Sequence, residues 1–144
     1  MSGLLESLET HMHTGSCHCR AVRFEIEGEL AQIQVCHCGD CRKAQGGPFG
    51  TNIPVETSKF RLLSGADDLR IYESTPGKER VFCSRCGGPL FSRLQSKPEV
   101  MRVRAGTLDG VVESEIGFHF YTASKANWWP ITDDKPQYPD ARPF

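Results

Sequence analysis

The 144-residue chain has no run of 18 apolar residues, which excludes a membrane-spanning helix. It has no charge excess either. Seventeen Lys and Arg against eighteen Asp and Glu leave a formal charge of −1, so no strong field draws it to nucleic acid or an anionic membrane. No internal repeat or low-complexity tract is visible, and no segment holds a 3.6-residue apolar period over 12 residues. Long helices and bundles are thereby set aside. The first ten residues lack the basic start and apolar stretch of a secretory leader, so a cytoplasmic location is expected. What remains is 38% hydrophobic and 24% charged, enough for one modest core and one domain.

The alternation that is present is strand-like. Val22, Phe24 and Ile26 share one face, with Arg23, Glu25 and Glu27 on the other. Ile33 and Val35 alternate ahead of Cys36. Segments 68–73 and 79–82 read as hairpin arms around Thr75-Pro76-Gly77-Lys78, and 89–93, 100–105 and 116–120 follow as strands. Only 40–45 reads as a short helix. Such spacing predicts a mainly β domain of small antiparallel sheets. Residues 1–13 are set apart as an N-terminal tail holding His11 and His13, with Met12 an alternative start. The domain proper spans 14–138, and 139–144 form a C-terminal tail.

Seven cysteines are the unusual component. Disulfides use cysteine in pairs and belong mostly to oxidising compartments, so an odd count in a cytoplasmic chain points to metal. The count divides as four plus three. Cys83-Ser-Arg-Cys86-Gly87-Gly88 has knuckle spacing, with both sulfurs able to face one ion. Cys17-His-Cys19, placed at the entry to the first alternating strand, supplies two ligands that share a face and completes a four-cysteine set with the knuckle. Cys36-His-Cys38-Gly-Asp-Cys41 presents three thiolates, Cys41 returning through a turn at Gly39-Asp40. Three local ligands leave a fourth direction for water or a substrate thiol, the pattern of a reactive zinc. Seven thiolates and two Zn²⁺ ions would add three further negative charges, which again argues against nucleic acid. One competing reading makes both sites purely structural, with His18 or His37 as a fourth ligand. Residue alternation weakens it, because His37 faces away from Cys36 and Cys38 in an extended segment. His119, between Phe118 and Phe120, reads as a hydrogen-bonded strand histidine.

These motifs carry a resemblance. Gly15 through Phe24, Cys36 through Lys43, Arg80 through Leu90, Ala105-Gly-Thr-Leu-Asp109, and His119 with Ser124-Lys125, Trp128 and Asp133 resemble the glutathione-dependent formaldehyde-activating enzymes, a group that includes centromere protein V-like domains. The resemblance spans about 14–138. It implies a β-tent fold built around a structural zinc on Cys17, Cys19, Cys83 and Cys86, and a second zinc at the catalytic Cys36, Cys38 and Cys41. It further implies glutathione as co-substrate and formaldehyde as aldehyde, joined to S-hydroxymethylglutathione, an activity classed as a carbon–sulfur lyase. Small-molecule thiol and aldehyde are then the expected partners, with neither nucleic acid nor membrane. Arg42, Lys43 and Lys125 are candidate contacts to the anionic thiol, and Trp128 and Trp129 candidates for a pocket wall or for the core. Arg20 departs from the family pattern by standing where glycine is common. A zinc-stabilised binding or adaptor module, and a thiol or metal sensor without turnover, are the alternatives to an enzyme.

Overall fold

Alternation builds ten strands, and their two faces part company chemically. The computed structural model describes residues 11–142. In chain order the strands are β1 (Met12–Ser16), β2 (Arg23–Glu27), β3 (Ile33–Cys36), β4 (Gly50–Glu56), β5 (Phe60–Ser64), β6 (Leu69–Thr75), β7 (Lys78–Cys83), β8 (Pro89–Leu94), β9 (Lys97–Arg104) and β10 (Ile116–Phe120). Among the described residues a single α-helix, α1 (Gly39–Gln45), lies between β3 and β4. One sheet has the order β1-β2-β5, the other β10-β3-β4-β9-β8-β7-β6. All pairings are antiparallel except β10 on β3, which runs parallel and departs from the purely antiparallel expectation. The reason is connectivity: β10 arrives after a long irregular crossing from β9, which removes the hairpin constraint.

The two sheets enclose the main core. Phe24 and Ile26 of β2 meet Ile53 and Val55 of β4, Val81 of β7, Phe91 of β8, and Met101 and Val103 of β9. Phe60 joins them, stacked on Phe24 at 5.0 Å and edge-on to Phe91 at 5.4 Å. Period-2 alternation turns the neighbours of these residues the other way. Asn52, Arg80, Arg102 and Arg104 therefore stand on the opposite face of the seven-stranded sheet, where α1 packs against β4. Gly50 makes that approach feasible. A β-carbon there would press on the Gln45 amide and lie 3.3 Å from Cys41 Cβ.

Both chain ends of the described region are more engaged than the tail boundaries anticipate. Met12 and His13 pair in β1, and His13 Nε2 lies 3.0 Å from the Gly28 carbonyl oxygen. At the far end, residues 136–140 run beside β10 and beyond it. Pro136 O accepts from His119 N, Tyr138 N donates to His119 O, and Asp140 O accepts from Tyr121 N. Residues 1–10 and 143–144 lie outside the described region.

Candidate metal centres and thiol pocket

Two turns assemble the first cysteine group. Cys17 is followed by a tight turn, not by strand: Arg20 N donates to Cys17 O at 3.1 Å, and β2 begins only at Arg23. This corrects the expectation that Cys17 and Cys19 share a strand face. The second turn repeats the device, with Gly87 N donating to Cys83 O at 2.8 Å. Each closes on a left-handed residue, Arg20 at φ 67° and Gly87 at φ 76°. That conformation explains why glycine suits the Arg20 position.

The sulfurs of Cys17, Cys19, Cys83 and Cys86 lie within 4.8 Å of one another, with Cys17–Cys19 at 3.6 Å and Cys19–Cys83 at 3.8 Å. A tetrahedral zinc with sulfur at ~2.3 Å sets its ligands about 3.8 Å apart, so the group fits that ion. Backbone amides already serve the sulfurs: Val22 N donates to Cys17 Sγ and Arg85 N to Cys83 Sγ, each at 3.3 Å. Amides of Cys19 and Gly88 pull the Cys86 thiol down to about 6.

The second group forms where β3 gives way to α1. Cys36 ends the strand, Cys38 caps the helix by accepting from Cys41 N at 3.3 Å, and Cys41 lies in the first helical turn. The return of Cys41 is thus helical. Cys36 Sγ and Cys38 Sγ are 3.4 Å apart, and all three sulfurs fall within 4.8 Å. Among the described residues no fourth Cys, His, Asp or Glu joins them. Hydrogen bonds from Cys36 and Cys38, with the nearby Arg80 guanidinium, hold the Cys41 thiol far below its usual range. Hydrogen bonding with Cys38 and Cys41, together with burial, pushes Cys36 up.

Behind this trio lie two buried guanidiniums. Arg80 donates from Nη2 to Cys41 Sγ at 4.0 Å and from Nε to Ser74, while Arg104 donates to Asn52 Oδ1. Arg80 Nη1 and Arg104 Nε are buried without a partner among the described residues. Burial and the neighbouring Arg80 push Arg104 down to about 10, which still leaves it charged near neutrality. Buried cations need anions, and the Cys41 sulfur stands within reach of Arg80. The donor chemistry fits a thiophilic divalent ion.

His37 points away from the sulfurs and is fully buried. Its Nε2 lies 2.8 Å from His119 Nδ1, and His119 Nε2 lies 2.9 Å from Asp133 Oδ2. Because a carboxylate accepts from His119 Nε2, His119 Nδ1 is the acceptor for His37 Nε2–H. Burial, with His119 and Lys125 nearby, lowers the His37 pKa to about 4 and keeps it neutral. His37 therefore anchors the ligand-bearing segment to β10.

The three cysteines open on a small cavity of about 160 Å³, lined also by Lys78, Arg102, Arg142, Asn52, Phe120 and Tyr121 among others. Sequence reading missed these cations. A signal existed for Arg102 and Arg104, because flanking Val103 belongs to the core and alternation sends both arginines to the other face. The candidates Arg42, Lys43 and Lys125 lie elsewhere. Arg42 is half-buried on α1, and Lys43 borders a separate cavity of about 540 Å³ with Asp40, Tyr72, Arg80 and Arg104. Lys125 Nζ is spent on the carbonyls of Ala126 and Trp129. Trp128 and Trp129 are 60% and 42% exposed, so neither belongs to the core.

The motifs and geometry agree with comparison to known proteins. The family model described as glutathione-dependent formaldehyde-activating enzyme matches residues 12–124. A Halomonas elongata protein bearing that name provisionally is 32% identical over 126 residues, covering 81% of this chain and 79% of its own. Provisionally named proteins from Talaromyces marneffei and Pyrenophora teres are 28% and 29% identical over 56% and 54% of this chain, but the matches span only 44% and 42% of those longer proteins. A crystal structure of a Rhodobacter sphaeroides protein superposes with a TM-score of 0.59 at 29% identity, covering 72% of this chain and 98% of that one. With ligand spacing, sheet architecture and relatives in accord, the chain belongs to the glutathione-dependent formaldehyde-activating enzyme family.

Proposed function

We propose that the protein is a zinc-dependent enzyme of the carbon–sulfur lyase type, joining glutathione or a similar small thiol to formaldehyde and splitting the adduct in reverse. One observation carries this reading: three sulfurs within 4.8 Å line a pocket with no fourth ligating side chain among the described residues. A structural site is closed by its protein ligands, whereas a reactive one leaves a position for substrate. Zinc held by Cys36, Cys38 and Cys41 would supply Lewis acidity, favouring thiolate over thiol and polarising the aldehyde oxygen.

The chain's own residues do the remainder. Arg80 and Arg104 place positive charge behind the trio and favour an anion as the incoming group. Lys78 and Arg102 flank the pocket and attract a carboxylate-bearing thiol. Asn52 has its carbonyl oxygen engaged by Arg104, so N–H donation is what it has left to offer a developing alkoxide. Phe120 and Leu94 limit water. A space of about 160 Å³ admits the sulfur end of a thiol and a very small aldehyde, not a bulky one. In the forward direction a sulfur–carbon bond forms and the carbonyl π bond breaks. Its electron pair remains on oxygen, which takes up the proton released by the thiol.

The test is NMR exchange spectroscopy with glutathione and formaldehyde, read against the uncatalysed rate. Cys38→Ser is expected to fall to background while retaining the fold. Exchange at the wild-type rate in that variant would overturn the assignment.

A further inference from the structure

The family match ends at residue 124, yet the chain continues along β10 and reaches the pocket. Residues 136–140 exchange backbone hydrogen bonds with His119, Tyr121, Thr122 and Ala123, and the Tyr138 ring packs edge-on to Phe118 at 5.7 Å. This segment is a strap fastened over two successive stretches of backbone. Its end delivers Ala141 and Arg142 to the wall of the three-cysteine pocket. There Arg142 meets Lys78 from β7 and Arg102 from β9, and among the described residues no acidic side chain lines the same cavity. Among the described residues none of these three cations forms an ion pair, although Arg61, Arg85 and Arg93 each do. Cations left unpaired around one concave space, beside thiols, suit a carboxylate on the molecule that supplies the thiol.

We propose that the C-terminal strap completes the thiol pocket and that Arg142 binds a carboxylate of the thiol substrate. The inference rests on the functional reading above and deepens it by naming the residue, and the segment carrying it, that would hold the thiol's carboxylate. It also places a specificity residue outside the family-matched residues 12–124.

The test separates recognition from chemistry by using S-methylglutathione, which has no free thiol and cannot react. Its affinity is measured by calorimetry or NMR titration, alongside its diethyl ester, which lacks both carboxylate charges. The wild-type protein is expected to bind the acid at least tenfold more tightly than the ester. Arg142→Gln is expected to lose about tenfold for the acid, with the ester unchanged, and Arg142→Lys to recover most of that loss. Unchanged affinity in Arg142→Gln, or no binding of S-methylglutathione by the wild-type protein, overturns the proposal. Formaldehyde exchange by the wild-type protein is scored separately. Exchange that persists while Arg142→Gln binds normally sinks the strap's role and leaves the enzymatic reading standing. Arg142-dependent binding without exchange does the reverse.

Discussion

The two cysteine groups occupy opposite environments of one small fold. Cys17 and Cys83 belong to the main apolar core, between the two sheets, and their sulfurs are served by backbone amides. Cys36 and Cys41 form a satellite cluster with Phe118 and Phe120, and their nearest charged neighbour is a buried guanidinium. The first group ties two turns more than 60 residues apart, and the second comes from six consecutive residues. The difference teaches that the same sulfur atom meets two environments in one fold, the first suited to cohesion and the second to the chemistry proposed above. A set drawn from distant turns is worth most as a crosslink, because it removes freedom from the unfolded chain. A set made locally crosslinks little, and its thiols are tuned by one another, by the Cys41 amide and by the Arg80 guanidinium.

The largest test of that contrast removes one ligand from each group. Cys83→Ala is expected to abolish the fold, because metal binding at such sites is worth about as much as the whole stability of a domain, roughly 10–16 kcal/mol against about 5–15. Circular dichroism and NMR dispersion report it, and a folded, cooperative Cys83→Ala protein breaks the comparison. Cys41→Ser, in contrast, is expected to stay folded and to carry one fewer metal ion by native mass spectrometry.

A second test uses a chelator. The three-cysteine group, closed by no fourth side chain among the described residues, is expected to release its ion first, and the four-cysteine group only with unfolding. Simultaneous loss of both ions would erase the distinction. Arg80→Gln sharpens the same point. Removing a charge-assisted bond to Cys41, worth about 1.5–3 kcal/mol, is expected to weaken metal retention there by roughly ten- to a hundredfold. The four-cysteine group should hold its ion unchanged in competition titrations.

The His37–His119 bond offers a smaller effect. His119→Ala leaves a buried His37 nitrogen without its partner and is expected to cost about 1–3 kcal/mol in urea unfolding. A neutral outcome would show that β10 does not anchor the ligand segment. The smallest effect belongs to Arg20→Gly. It relieves a left-handed backbone at φ 67° and is expected to stabilise the protein by about 0.5–1 kcal/mol. Destabilisation would mean that the Arg20 side chain matters more than its backbone.

Much of this was legible in the order of residues. Alternation at 22–27, 79–82 and 100–105 is a local property, so it gave strands at nearly the right limits. The short helix at 39–45 was anticipated to within a residue. The grouping of four and three cysteines followed from spacing, and the same two groups stand together in space. The turn after Cys17 was misread as strand, because a left-handed arginine gives none of glycine's warning.

What spacing could not convey was everything set by pairing across the sheet. Lys78, Arg102 and Arg142 come from three distant segments and meet only because β7, β8 and β9 pair side by side and the strap follows β10. Lys43 and Lys125, chosen for nearness in sequence or motif, are placed elsewhere, one on a separate cavity and the other on the Ala126 and Trp129 carbonyls, and Arg42 is not among the residues that line the three-cysteine pocket. By itself the sequence determined the ligand groups and the strands, because both follow from the short-range geometry of a few residues. Only the tertiary structure decided which cations surround the three-cysteine group, because that depends on strand register and on the face each side chain is given.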